Sequence, residues 1–299
     1  MINRAGLGIA CALGAAALYG LVPNFVRAAY QNGIPPAESV FFRTFVLAAV
    51  FAIVAVARSE RLTVPRAAIP SFIGQSLATL LVSVGYLGSV QFIPVGLAVI
   101  IFFFFPVLIM LCAALVERRN PGLPRVLIAA AAFSGLAIAI GPSFESLDIR
   151  GIAMAAAAAG GAALQFFSGR AISRYMTPSV FGSLVHISIW PAVLFIALYA
   201  GGGHLQFLPG GAGNATGLAF MAALGAIYVV AYMVQMLSLR FAPASTVAPF
   251  YNLEPVVTTG IAAAILGERL QINQYAGGGL VLAALMASSL IGQTDTIDS

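Results

Sequence analysis

The chain has 299 residues and no lysine: its 14 basic residues are all arginines, set against 9 acidic ones. Charged residues make up 8% of it, where a soluble domain carries about 25%. So few charges cannot clothe a water-soluble body of this length, and a soluble enzyme is excluded first. The arginines occur singly or in pairs, so there is no basic run for a phosphate backbone to follow and no nucleic-acid partner is expected. There are two histidines, His186 and His204, and two cysteines, Cys11 and Cys112, which fall separately inside apolar runs. None has metal-ligand spacing, so neither a metal nor another cofactor is expected. The chain also lacks a His-Glu metal motif, paired aspartates, a glycine-elbow serine and a Walker sequence. Catalysis, including ATP hydrolysis, is therefore not expected.

What the chain has is apolar length. Apolar residues other than glycine account for 61% of it, and a membrane-spanning helix takes roughly 20. Ten spans can be drawn, near 5–29, 37–57, 68–90, 94–116, 124–141, 151–174, 179–200, 216–240, 244–266 and 273–292. Nine short connections join them, punctuated by Gly33-Ile34-Pro35-Pro36, Arg118-Arg119-Asn120-Pro121-Gly122 and Gly201-Gly202-Gly203. The first run, from Ala5 past Phe25, outlasts the roughly 7–15 residues of a signal peptide's apolar region and reads as a retained helix. The sequence thus predicts an all-α polytopic membrane protein whose partners are the lipid bilayer and a small-molecule substrate. With the N-terminus inside, Arg4, Arg58, Arg61, Arg66, Arg118, Arg119, Arg125, Arg170, Arg174 and Arg240 fall on the cytoplasmic side. Arg27, Arg150 and Arg269 fall outside and Arg43 lies within the second span. That bias places both termini in the cytoplasm, as an even number of spans requires.

The chain also repeats itself. Phe92-Ile93-Pro94, Phe105-Pro106 and Glu117-Arg118 recur as Phe241-Ala242-Pro243, Glu254-Pro255 and Glu268-Arg269. Each copy opens a span at a proline, where the missing N–H costs nothing, and sets a second proline mid-span to bend it. The two halves, 1–145 and 146–299, hold five spans each. Five is odd, so the second half is expected to be inverted relative to the first, with a site near the midplane between them. The Glu-Arg pairs read as salt bridges at helix ends.

Polar residues at bilayer depth mark a pathway by default. The third span shows Gln75, Thr79, Ser83 and Tyr86 on one helical face, and the eighth shows Tyr228, Tyr232 and Gln235 on another. At the repeat offset, Thr79 falls on Tyr228, Ser83 on Tyr232 and Tyr86 on Gln235. These read either as facing walls of a substrate cavity or as hydrogen bonding within a solid bundle. Tyr19 and Asn24 flank Pro23 in the first span, Gln165 shares a face of the sixth with Ser168, and Tyr251 and Asn252 precede Glu254 in the ninth. His186 and Trp190 lie four apart in the seventh, where Trp190 reads as a stacking wall or as core packing. Glu254 stands about half-way through its span and reads as a coupling or amine-binding acid, or as a structural one. Arg43 either snorkels outward or holds a substrate carboxylate. Aromatic sides with few charges suit a small amphipathic or zwitterionic solute and not a polyphosphate.

Leu253-Glu254-Pro255 followed by Gly267-Glu268-Arg269-Leu270 resembles the second-copy signature of the drug/metabolite transporter superfamily, EamA type. Phe42-Arg43 and the five-plus-five layout match it as well. Within it, the chain is most similar to the YddG group of amino-acid exporters. The resemblance implies a secondary transporter in a bacterial-type inner membrane that exports amino acids, aromatic and other neutral ones favoured, and related metabolites. Alternatives are an exporter of drugs or other small organic metabolites, and a channel-like membrane subunit. Where the second copy has Glu254 the first has Phe105, so acid chemistry rests on one half. A monomer and a homodimer are both compatible with the sequence.

Overall fold

The computed structural model describes residues 4–116, 122–141, 147–266 and 271–294. Among these residues there are helices and turns and no strand. The elements are α1 (Arg4–Gln31), α2 (Pro36–Ala57), α3 (Ile69–Ser89), α4 (Val95–Phe102), α5 (Phe105–Val116), α6 (Leu123–Ile140), α7 (Ile149–Ile172), α8 (Pro178–Ala200), α9 (Ala215–Phe241), α10 (Ala244–Val247), α11 (Leu253–Leu266) and α12 (Ile272–Thr294). Eight helical stretches have the length and hydropathy of a membrane span. Both Glu-Arg pairs lie outside the described residues.

Local chemistry sets the helix starts. Proline occupies the first turn of α2, α3, α6 and α8, where it lacks only a donor that had no helical acceptor. Asp148 caps α7 by accepting from Arg150 N at 2.8 Å, and Asn214 caps α9 by accepting from Gly217 N at 2.9 Å. The Arg150 guanidinium also holds the exposed Asp148 carboxyl below the usual carboxylate range.

Two expected spans are not continuous. The run 94–116 is divided by a turn at Phe103 and Phe104 into α4 and α5. The run 244–266 is divided by a 3-10 stretch, Ala248–Asn252, into α10 and α11. The interruptions fall at matching places in the two copies. Pro106 and Pro255 therefore do not bend an intact helix. They sit in the first turn of α5 and α11, where proline is tolerated, and α11 carries Glu254 in that same turn.

Packing follows the repeat. α1 lies most extensively against α9 and α3 against α7, while α2 pairs with α8 and α6 with α12. Small residues permit the close crossings. Gly135 of α6 and Gly277 of α12 oppose each other so closely that a Cβ on either meets the other's backbone. Gly277 therefore packs within the chain, while Gly279 has open space around it.

The α2–α8 pair is tied at both ends by carboxylates. At one end the fully buried Glu38, in the first turn of α2, accepts from Gln206 N at 2.9 and 2.8 Å and from Phe207 N at 3.2 Å. Gln206 in turn knits its own loop, donating to Gly201 O at 2.8 Å and accepting from Ala212 N at 2.8 Å. At the other end Glu60, just after α2, accepts from Thr177 Oγ1 at 2.9 Å and Ser179 Oγ at 2.6 Å at the start of α8. The Ser179 hydroxyl, with that of Thr177, holds the Glu60 carboxyl below its ordinary range. A lowered value means that the tie is complete above about pH 4.3, the usual glutamate range, and is lost as pH falls through the lowered value. Exchange protection of the α8 N-terminus is therefore expected to be flat between pH 6 and 8 and to fall only in strong acid. Exchange that changes near neutrality would contradict this.

Candidate functional site

The largest buried cluster gathers Phe51 of α2, Phe105, Phe166 of α7, Phe181 of α8, Tyr228 and Tyr232 of α9, and Phe250 and Tyr251 of the 3-10 stretch. The α3 polar face turns to α7 and the α9 polar face to α1, and Gln75 of α3 lies beside Tyr232 of α9. Gln75 and Thr79 are buried, and the first links α3 to α7: Ser168 Oγ donates to Gln75 Oε1 at 2.6 Å. Gln165 Nε2 donates to Thr79 Oγ1 at 3.1 Å, and Thr79 returns its own proton to Gln75 O at 2.7 Å. From the other side, Tyr19 Oη donates to Gln235 Oε1 at 2.7 Å and its ring meets Tyr228 edge-on at 5.9 Å. The α3–α7 and α1–α9 pairs thus each carry a glutamine-centred link, and Ser83 is buried on the same α3 face.

The two charges deepest in this region do not pair. The Arg43 guanidinium lies 4.5 Å from the centroid of the Tyr228 ring, and its Nε has no partner. Glu254 lies within the electrostatic reach of Arg43, Tyr19, Tyr86 and Tyr251. Among the described residues neither charge makes an ion pair, and both are only partly covered. Charges without ion pairs at bilayer depth are costly, so both are candidate substrate contacts.

Other polar atoms here are also unpartnered. They are Gln75 Nε2, Ser183 Oγ, His186 Nε2, Tyr232 Oη and Tyr251 Oη, while Ser39 Oγ, Trp190 Nε1 and Asn252 Oδ1 lack partners away from this region. The Tyr232 hydroxyl lies beside Gln75 but outside hydrogen-bond geometry. Native interiors leave few such groups unsatisfied, which makes these atoms candidate substrate contacts.

Not every expected residue joins it. Asn24 donates to Thr258 O at 3.2 Å and ties α1 to α11. Asn252 Nδ2 donates to Pro249 O at 3.1 Å, bracing the interruption. Tyr86 packs on Phe102 at 5.1 Å, beside a smaller cluster of α4 and α7. Trp190 stands apart: it stacks on Phe45 at 5.2 Å, and Phe45 is 45% exposed on the outside of the bundle. Phe166 is a member that the sequence reading missed. It bridges the two interruptions, meeting Tyr251 at 4.9 Å and Phe105 at 5.4 Å. A phenylalanine in an apolar helix gives no pattern that would single it out.

Gly182 sets the α8 wall. A Cβ there would fall within 2.4 Å of the Phe51 ring and 3.2 Å of Tyr232. Gly182→Val is expected to displace both rings and lower stability by about 1–3 kcal/mol, the usual cost of overpacking, as read from thermal unfolding in detergent. Wild-type stability in that variant would show that α8 has room to move.

A family model described as the EamA-like transporter family matches residues 6–141 and again 149–290. The chain belongs to that family, whose members are membrane transporters of small molecules, and it carries the family's unit twice. A solved structure titled only "Crystal structure of protein" superposes with a TM-score of 0.81. The superposition covers 96% of this chain and 98% of that one at 15% identity, a likeness of fold alone. No curated protein matches the chain.

Proposed function

We propose that this member of the EamA-like transporter family exports neutral amino acids, aromatic ones favoured, and related small metabolites. It works by alternating access between two inverted five-helix repeats, 1–145 and 146–299, in a bacterial-type inner membrane with both termini cytoplasmic. The observation that supports the reading is Arg43 over the Tyr228 ring with Glu254 in the first turn of α11, neither in an ion pair among the described residues. A zwitterion supplies what each lacks: its carboxylate to the guanidinium, its ammonium to the carboxylate. The export direction and amino-acid class are taken from the likeness to YddG-type exporters.

Inversion is supported by the pairing of helices. The α1–α9 and α3–α7 contacts exchange with each other when the halves are swapped, whereas α2–α8 and α6–α12 map onto themselves. A twofold axis through the bundle produces that pattern. The interrupted spans lie at matching places in the two halves, where transporters of this plan hold their solutes. The substrate contacts proposed are Arg43, Glu254, Tyr19, Gln75, Thr79, Ser83, Gln165, His186, Tyr228, Tyr232, Gln235 and Tyr251. Asn24, Tyr86, Asn252 and Trp190 serve packing.

The test is uptake of a panel of labelled amino acids into proteoliposomes, with and without a pH gradient. Saturable, mutually competed uptake of neutral amino acids is expected. Failure to take up any amino acid, by protein shown to be folded, would reject the substrate class and point to other organic metabolites.

A further inference from the structure

His186 is fully buried in α8. Its Nδ1 lies 2.8 Å from the Gly182 carbonyl oxygen. A carbonyl only accepts, so Nδ1 carries the proton and donates it. In the neutral ring, Nε2 is then a bare acceptor. That nitrogen is buried and has no partner. The ring is held from two further sides, edge-on to Tyr232 at 4.8 Å and to Tyr228 at 6.2 Å. Its orientation and tautomer are therefore set by packing and one backbone bond. Close by, the Tyr232 hydroxyl and Gln75 Nε2 are also buried without partners.

A fixed, unsatisfied acceptor inside an aromatic enclosure is what a site needs to recognise a hydrogen-bond donor on a flat, largely apolar group. We infer that His186 is a specificity-determining residue: its Nε2 accepts from an N–H or O–H on the substrate's side chain. It thereby selects neutral amino acids that carry such a donor over isosteres that lack one. This rests on the amino-acid reading above and adds to it which member of the class is preferred. The same enclosure without the acceptor would sort substrates by shape alone, since apolar contacts discriminate weakly between isosteres while a site built to hydrogen-bond a donor penalises its absence.

The probes are tryptophan and its sulfur isostere 3-benzothienylalanine, which keeps the bicyclic shape and loses the N–H. In proteoliposomes the wild-type protein is expected to take up tryptophan with a kcat/KM about tenfold higher than the isostere, a typical margin for one buried hydrogen bond. His186→Phe is expected to bring the ratio to about one whatever its absolute rate, with thermal unfolding in detergent checking that the variant is folded. His186→Gln, whose amide oxygen restores an acceptor, is expected to recover part of the preference. Equal uptake of both probes by the wild type would overturn the inference, as would a preference that survives in His186→Phe. Uptake of neither probe by folded wild-type protein would instead remove the amino-acid reading, and this inference with it.

Discussion

Arg43→Gln is expected to lower the kcat/KM of amino-acid uptake about a hundredfold, with little loss of stability. A hundredfold corresponds to roughly 2.7 kcal/mol, within the range for losing one partner of a buried charge pair. The guanidinium lies over the Tyr228 ring, and its Nε has no partner among the described residues. Glutamine removes a cation–π contact, typically worth about 0.5–2 kcal/mol, and the cation nearest Glu254 from the unliganded protein. The charge is missed when a carboxylate arrives. Arg43→Lys is expected to recover only part of the activity, because an ammonium cannot meet a carboxylate in two parallel bonds. Initial rates of labelled uptake over a substrate range test this. A variant with wild-type KM and kcat would assign Arg43 a packing role.

Glu38→Ala is expected to release the loop between α8 and α9. The buried carboxylate accepts three hydrogen bonds from two backbone amides, and bonds to a charged group contribute about 1.5–3 kcal/mol each when lost singly. The loop lies at the end of the bundle and turns its amides to water once released, so the net loss is about 2–3 kcal/mol. Exchange of the Gln206 and Phe207 amides is expected to accelerate at least about tenfold, in line with 1.4 kcal/mol per factor of ten. Glu38→Gln keeps an acceptor and is expected to fall between. Unchanged exchange at both amides would mean that the carboxylate holds nothing. The Glu60 tie to Thr177 and Ser179 sits at the opposite end of the same helix pair, so weakening it is expected to act on the opposite face.

Much of the fold was legible because a bilayer allows few solutions: apolar length and punctuating prolines carry the helices and their order. The repeat was legible as well, since Phe105-Pro106 and Glu254-Pro255 keep a single offset. The interruptions at 103–104 and 248–252 were not. A proline mid-run reads equally as a kink or as the first turn of a new helix, and only tertiary packing decides between them. The α3 and α9 polar faces were read from helical spacing; Gln75 lies beside Tyr232, while Thr79 bonds to Gln165 of α7 and Gln235 to Tyr19 of α1. Asn24 and Trp190 were read as candidates because polarity or rarity at depth is costly, but neither property gives a direction. Asn24 turns to a carbonyl of α11 and Trp190 to Phe45 at the edge. Glu38 gave only the signal of an acid in a first helical turn, which is common for dipole reasons alone.

The central claim is that Arg43 and Glu254 are unpaired because a zwitterion completes them. The measurement that tests it most directly is competition of labelled tryptophan uptake by tryptamine, which lacks the carboxylate, and by indole-3-propionate, which lacks the amine. Each is expected to compete at least about tenfold more weakly than unlabelled tryptophan, the equivalent of one lost charge contact at about 1.4 kcal/mol. In Arg43→Gln, tryptamine and tryptophan are expected to compete alike. Competition by tryptamine and indole-3-propionate as strong as by tryptophan itself would contradict the account, for the site would then be reading the indole ring and ignoring both charges.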